Sequence, residues 1–159
     1  MDEILEILEK NARASVEEIA LMLDKSVAEV QEAVKKLEDD NIIVGYNTLI
    51  NWDKSSKESV TALIEVRVTP QRGQGFDKVA ERIYRYPQVK ACYLMSGGFD
   101  LTVIIEGKTM KEVALFVAEK LAPLESVLST ATHFVLKKYK DEGVIFEEDT
   151  KDDREALIL

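Results

Sequence analysis

Two helix-start signals, only eleven residues apart, constrain the first part of this chain more strongly than any other feature. Residues 15–18 (Ser-Val-Glu-Glu) and 26–29 (Ser-Val-Ala-Glu) both fit the capping box. In that motif the serine hydroxyl accepts the backbone N–H three residues on, and the glutamate carboxylate accepts the N–H of the serine. The first of these helices must therefore end close to Asp24 and Lys25, and a very short turn must connect it to the second.

Apolar residues recur at helical spacing in three consecutive segments of residues 1–41. The segments carry Ile4, Ile7 and Leu8, then Val16, Ile19, Ala20 and Leu23, and finally Val27, Val30, Val34 and Leu37. Three short helices with a tight turn before the third are typical of a helix-turn-helix, but a generic three-helix bundle has the same pattern. The β-prone run at 42–46, interrupted by Gly45, predicts a strand or hairpin after the third helix.

The second half of the chain alternates strand and helix patterns. Residues 51–59 are polar and predict a linker. Every second residue from Val60 to Val68 is apolar, which predicts a half-buried strand. The following patterns predict a helix at 76–83, strands at 89–96 and 100–106, a helix at 110–121 and a strand at 129–139. Gly97 and Gly98 indicate a tight hairpin between the two middle strands.

This order of elements predicts an α+β protein. It has an N-terminal three-helix helix-turn-helix domain at 1–50 and a C-terminal ferredoxin-like βαββαβ sandwich at 60–140. Two helices cover only one face of such a sheet, and both faces are fairly apolar, so we expect at least a homodimer joined through the sheet. The acidic tail at 141–159 is either partly ordered or an arm that docks on its own or a neighbouring subunit.

Composition and charge exclude several classes of protein. With 46% hydrophobic and 32% charged residues the chain is typical of a soluble globular protein. No stretch approaches the roughly 18 apolar residues that a membrane span needs. The acidic start and the single cysteine, Cys92, suit a cytoplasmic protein. The net charge of −9 is unfavourable for DNA binding, because phosphate contacts supply most of that affinity.

Four segments resemble the Lrp/AsnC family of feast/famine regulators, each on the element where the family has it. They are residues 4–23 (ILEILEKNARASVEEIALML), 35–46 (KKLEDDNIIVGY), 96–100 (SGGFD) and 132–140 (THFVLKKYK). The resemblance implies a transcription regulator, and not an enzyme, whose N-terminal domain binds double-stranded DNA. It also implies a C-terminal domain that forms dimers, often assembled further to tetramers or octamers, and that binds a small-molecule effector, commonly an amino acid.

The candidate DNA-reading element is the third helix. In a helix-turn-helix the N-terminal part of the recognition helix meets base edges, and Gln31 there suits adenine. Lys25, Lys35 and Lys36 suit phosphates. Glu32 is unfavourable, and Ala33 stands where the family usually has an arginine.

The negative charge lies on the helical domain itself. Residues 1–41 carry twelve acidic and five basic side chains, a net charge of −7 that leaves only −2 for the rest of the chain. Two interpretations remain open. In the first, each helical domain binds DNA weakly, and several such domains on one oligomer raise the overall affinity, since tethering increases avidity by roughly 10² to 10⁴. Alternatively, the chain does not bind DNA and uses this domain for protein contacts, for example in mixed oligomers with a paralogue.

The candidate effector site is centred on Gly97, Gly98 and Asp100. Backbone N–H groups at two glycines can accept a carboxylate, and Asp100 can pair with an α-ammonium group. Thr130 and Thr132 can add hydroxyl groups from the last strand. The plainer alternative is that the glycines only form a turn and that Asp100 only starts a strand. The family often has a polar or acidic residue in place of Gly98, which leaves the identity of the effector open.

Other chemistry-bearing residues favour structural roles. His133, the only histidine, and Cys92 both lie on predicted strands, and together they cannot build an ordinary zinc site. No metal is therefore predicted. The glycines near Gly73 lack the rest of a phosphate-binding motif, so no cofactor is predicted either. The sirohaem decarboxylases share the two-domain plan and are a remote enzyme alternative. Such a site would need clustered cations, and the candidates Arg67, Arg72, Arg82 and Arg85 are spread over a strand, a loop and a helix.

Overall fold

The computed structural model describes residues 1–70, 72–73 and 75–146. The chain divides into two compact units, the first ending at Ile50 and the second beginning at Asn51. Among the described residues, no helix is long and apolar enough to cross a membrane.

The first unit contains three helices, α1 (Asp2–Lys10), α2 (Val16–Leu23) and α3 (Val27–Asp39). Both predicted capping boxes are confirmed, and they fix the start of α2 at Ser15 and of α3 at Ser26. Asp24 ends α2 in the left-handed conformation, with φ of 52°. The next N–H, that of Lys25, donates back to the carbonyl of Ala20 at 3.0 Å. This closure produces the short turn between the two helices.

A small apolar core holds the three helices together. Its buried residues come from the predicted faces and are Ile4, Ile19, Ala20, Val30 and Leu37. Val30 and Leu37 lie two turns apart on α3, with 0% and 1% of their surface exposed. The opposite side of α3 is therefore left facing solvent within this unit.

The predicted strand at 42–46 is wrong, because no strand is assigned between residues 42 and 50. The N–H groups of Ile42 and Ile43 both donate to the carbonyl of Leu37, and this ends α3 in a tight C-terminal turn. Ile43 then packs on the helical core, whereas Val44 is 88% exposed. A β-prone run needs a neighbouring strand to form a ladder, and this unit has no described strand to supply one.

The second unit confirms the ferredoxin-like prediction. Its main elements are β1 (Val60–Val68), α4 (Asp77–Tyr84), β2 (Val89–Leu94), β3 (Leu101–Gly107), α5 (Met110–Phe116) and β4 (Val127–Phe134). The strands form one sheet in the order β2-β3-β1-β4, and every neighbouring pair is antiparallel. A short 3-10 turn at Trp52–Lys54 precedes β1, inside the segment predicted as linker.

The core of this unit lies between one face of the sheet and the two helices. The predicted alternation of β1 is confirmed, since Ala62, Ile64 and Val66 are all 0% exposed. They pack with residues of the other strands and of both helices, including Ile83, Val103, Ile105 and Leu121. We call this side the helix-covered face. The other side, here called the open face, carries Glu65 and also Leu63 with its register partners Ile104 and His133.

Two predicted details of this unit are wrong. The last strand ends at Phe134 and not at residue 139. The N–H of Val135 donates to the carbonyl of Thr61 at 2.9 Å, which is the last backbone hydrogen bond between β4 and β1. The two middle strands are joined by the six residues 95–100 and not by a two-residue hairpin.

The segment that follows the sheet is partly structured. A second small hairpin pairs β5 (Lys140–Asp141) with β6 (Val144–Ile145). The amide of Asn51 donates to the carbonyl of Phe146 at 3.5 Å, which links the hairpin to the start of the unit. The remainder of the acidic tail, 147–159, lies outside the described residues.

Candidate nucleic-acid and effector sites

The candidate DNA-binding residues share the solvent side of α3 or the turn before it. Gln31, Lys35 and Lys36 are exposed, and their neighbours Val30 and Leu37 are buried. Gln31 and Lys35 are one helical turn apart and project from the same side. The fold therefore brings a hydrogen-bonding amide and a cation together on a free helix surface.

Lys25 lies directly before the N-cap of α3. The capping carboxylate of Glu29 accepts the N–H of Ser26 at 2.9 Å and its hydroxyl at 2.6 Å. The pKa of Glu29 is lowered by three interactions. The largest is the hydrogen bond from the Ser26 side chain, followed by that from the Ser26 backbone and then by the charge of Lys25. Glu29 is thus occupied as a cap, whereas Glu32 has no hydrogen-bond or ion-pair partner among the described residues.

Among the described residues, one of the candidate lysines forms an ion pair. The Lys36 ammonium lies 3.6 Å from the Asp40 carboxylate, and both side chains are at least half exposed. Such a surface pair is worth at most about 1 kcal/mol, so a phosphate can displace Asp40. No ion pair involves Lys25 or Lys35 in the described part of the chain. All three lysines are therefore able to contact an anion.

The loop at 95–100 holds the candidate effector residues Gly97, Gly98 and Asp100. Gly97 has φ of 143°, a region that only glycine adopts easily, and both glycines are exposed. The Asp100 carboxylate accepts the N–H of Val68 at 2.8 Å through one oxygen. Its own N–H donates to the carbonyl of Val66 at 3.1 Å. Asp100 therefore ties the loop to the end of β1, and its other oxygen has no donor among the described residues.

The two candidate threonines lie on β4, one strand away from that loop. Thr130 is opposite Val66 and Thr132 is opposite Ile64. Because directly opposed residues of an antiparallel pair point to the same side, both threonines are on the helix-covered face. Thr130 is at the same end of the sheet as Asp100, whereas Thr132 lies one pleat further from it.

The loop conformation makes a test of the two glycines possible. We expect Gly97→Ala to destabilise the protein by about 1–3 kcal/mol, because a side chain disfavours this backbone conformation. Gly98→Ala is the matched control, since an added Cβ meets no atom within 4 Å at either glycine but only Gly97 has a positive φ. It should change the free energy of unfolding by less than about 0.5 kcal/mol. Urea unfolding measures both, and equal effects would contradict the assigned loop geometry.

His133 has a partner that could not be predicted from the sequence. Its Nε2 lies 3.5 Å from Glu65 Oε1, so the two form a cross-strand pair on the open face. The alternation of β1 placed Glu65 on that face, but the register between β1 and β4 was needed to bring the two side chains together. Within the described residues, no group of three His, Cys, Asp or Glu side chains could hold a metal ion.

Cys92 lies on the helix-covered face opposite Val103 and packs against the core. Burial raises the pKa of its thiol, so less thiolate is present at any given pH than on an unburied cysteine. We expect iodoacetamide to label Cys92 slowly at about pH 8. The labelling rate should still increase at pH values above the usual cysteine pKa. Labelling in urea is the control. Equal rates in native and unfolded protein would contradict the assigned burial.

Comparison with known proteins identifies the family. Two protein-family models match this chain. The one described as Lrp/AsnC ligand binding domain matches residues 61–145, and the one described as winged helix-turn-helix DNA-binding matches residues 3–44. The uncharacterized HTH-type transcriptional regulator YugG of Bacillus subtilis is 53% identical over 99% of this chain and 94% of its own length. LrpA of Pyrococcus horikoshii is 31% identical over 86% of this chain and 94% of its own length.

A solved structure agrees in fold. The transcriptional regulator of Neisseria meningitidis in complex with L-methionine superposes with a TM-score of 0.70 and 24% identity, over 87% of this chain and 89% of that one. Both units are matched by family models, and the identities to the curated relatives extend over both. The chain therefore belongs to the Lrp/AsnC family of helix-turn-helix transcription regulators.

Proposed function

We propose that this protein controls transcription by inserting α3 into the major groove of an operator. The observation that carries the proposal is the solvent side of α3, which presents Gln31 and Lys35 while the opposite side is buried. Gln31 can read an adenine edge, and Lys25, Lys35 and Lys36 can contact phosphates on either side of the groove.

A homodimer joined through the open face would supply two such helices. Within the second unit this face exposes apolar surface, since Tyr93 is 56% exposed and Leu63 and Ile104 are half-buried. An isologous dimer would cover this surface with its own copy. Two tethered heads would also offset the weak affinity expected from a helical unit that carries a net charge of −7.

The proposed effector is an amino acid bound at the loop of residues 95–100. The exposed N–H groups at Gly97 and Gly98 suit its carboxylate, and the oxygen of Asp100 that has no protein donor suits its ammonium group. Thr130 and Thr132 would border the site from β4. The L-methionine complex of the Neisseria meningitidis relative supports this class of ligand.

Footprinting on the DNA upstream of the protein's own gene tests the proposal. A dimer should protect two segments about 10 base pairs apart, or a multiple of that spacing. Titrating L-methionine and other amino acids into the same reaction should change the protected pattern, and Asp100→Asn should remove that response while leaving DNA binding intact. Protection without any amino-acid response would contradict the effector site, and no protection would contradict the DNA-binding role.

One alternative rests on the charge of the first unit. Residues 1–41 carry twelve acidic and five basic side chains. This negative charge suits contact with a basic protein better than contact with a phosphate backbone. A chain that forms mixed oligomers with a paralogue and does not bind DNA would give no footprint alone. It would instead change the footprint of that paralogue when the two are refolded together.

A further inference from the structure

A pocket of about 210 Å³ lies in the second unit, where α5 packs against the end of β3. The residues that matter for its chemistry are Ile105, Glu106, Glu112, Val113, Phe116 and Glu119. It lies at the end of β3, whereas the loop proposed for the effector precedes the start of this seven-residue strand. The two sites are therefore about 20 Å apart along the sheet.

Two features of the backbone border the pocket. Gly107 leaves room for α5, because a Cβ there would lie only 2.9 Å from Cγ2 of Val113. After Phe116 the helix widens into a π-helical turn, Val117–Leu121, whose i→i+5 hydrogen bond joins the Ala122 N–H to the Val117 carbonyl at 2.8 Å. Such turns are uncommon and frequently occur at functional sites.

The interior of the pocket is apolar and held in place. Ile105 and Val113 are each 1% exposed and Phe116 is 7% exposed. The Phe116 ring also makes an edge-to-face contact with Tyr86, with 5.3 Å between ring centroids. An unbranched apolar chain would fit against this floor without requiring a change in the core.

The rim of the pocket is acidic. Three carboxylates, of Glu106, Glu112 and Glu119, face one ammonium group, that of Lys120. Glu106 is within 3.8 Å of Lys90, and Glu112 accepts the Lys108 N–H at 2.7 Å. Glu119 has no hydrogen-bond or ion-pair partner in the part of the chain that the structure describes. Its charge is thus available to a ligand.

We propose that this pocket binds a small organic cation, with its ammonium group beside Glu119 and an apolar chain on Phe116. Glu119 lines the pocket and has no partner among the described residues, so an ammonium group can form a charge-assisted hydrogen bond with it. Charge complementarity excludes a carboxylate as the preferred head group. The site would serve a ligand different from the amino acid proposed for the loop, and it does not depend on DNA binding.

Calorimetric titration of the full-length protein with three ligands of equal chain length tests this. We expect n-pentylamine to bind saturably at millimolar concentration and pentanoate to bind at least about tenfold more weakly, with pentanol between them. Glu119→Gln should weaken pentylamine about two- to fivefold. Glu125→Gln, an exposed carboxylate outside the pocket, is the matched control and should change nothing.

A blocking variant locates the binding. Leu115 lines the pocket and is 46% exposed, so Leu115→Trp should fill the space and abolish pentylamine binding without unfolding the core. The proposal is overturned if pentylamine does not bind or if pentanol binds equally well. It is also overturned if Leu115→Trp binds normally or if the two glutamate variants behave alike.

Discussion

Replacing Lys35 and Lys36 together by glutamate is expected to weaken operator binding on the order of 100-fold at about 50 mM salt. Both side chains lie on the solvent side of α3, and reversing them turns two attractive phosphate contacts into repulsive ones. The dependence of affinity on salt should also become less steep, by about one phosphate contact for each lysine. Fluorescence anisotropy with a labelled operator measures both effects.

The matched control reverses two lysines of the second unit. Lys78 on α4 and Lys111 on α5 are exposed, so Lys78→Glu/Lys111→Glu changes the net charge of the chain by the same amount. If affinity depends only on total charge, the two double variants will weaken binding equally, and the assignment of α3 as the DNA-reading helix is then wrong. A selective loss in the α3 variant supports it.

Replacing Ile64 by alanine should lower the stability of the second unit by about 2–5 kcal/mol. Ile64 is 0% exposed at the centre of the sheet, where β3 and β4 flank β1 on its two sides. Deleting its methyl and methylene groups would leave a cavity that the neighbouring strands cannot close. That loss is a large part of the roughly 5–15 kcal/mol that stabilises a typical domain.

Ile64→Val is the graded control for this prediction. It keeps the β-branched shape and removes only one methylene, so it should cost about 0.5–1.5 kcal/mol. Urea unfolding followed by circular dichroism gives both values. An alanine variant no less stable than the valine variant would mean that Ile64 is not in a close-packed core.

Local signals in the sequence were sufficient for the helix starts and for the central strand. The capping boxes at Ser15 and Ser26 depend on residues three positions apart, and both form as predicted. The alternation of apolar residues in Val60–Val68 also corresponds to the observed burial, because one side of β1 must face the helices whatever its neighbouring strands are. The order of elements then left few possible topologies, and the ferredoxin-like one is correct.

The remaining features depend on contacts between residues that are distant in sequence. The run at 42–46 has strand composition, but its unit provides no partner strand. The carboxylate of Asp100 is bound by the N–H of Val68, which is 32 residues away. Thr130 and Thr132 could be assigned to a face only after the register with β1 was known. Candidate site residues were therefore identified by type, but their surroundings were not.

The most direct test of the DNA-binding role of this protein is a salt titration of DNA binding by the unaltered chain, using DNA from upstream of its own gene and a scrambled duplex of equal length. We predict tight binding to the first at about 50 mM salt, weaker binding to the second, and affinity that falls linearly with log salt concentration. A protein that remains folded and oligomeric but binds neither duplex under these conditions would contradict the DNA-binding role.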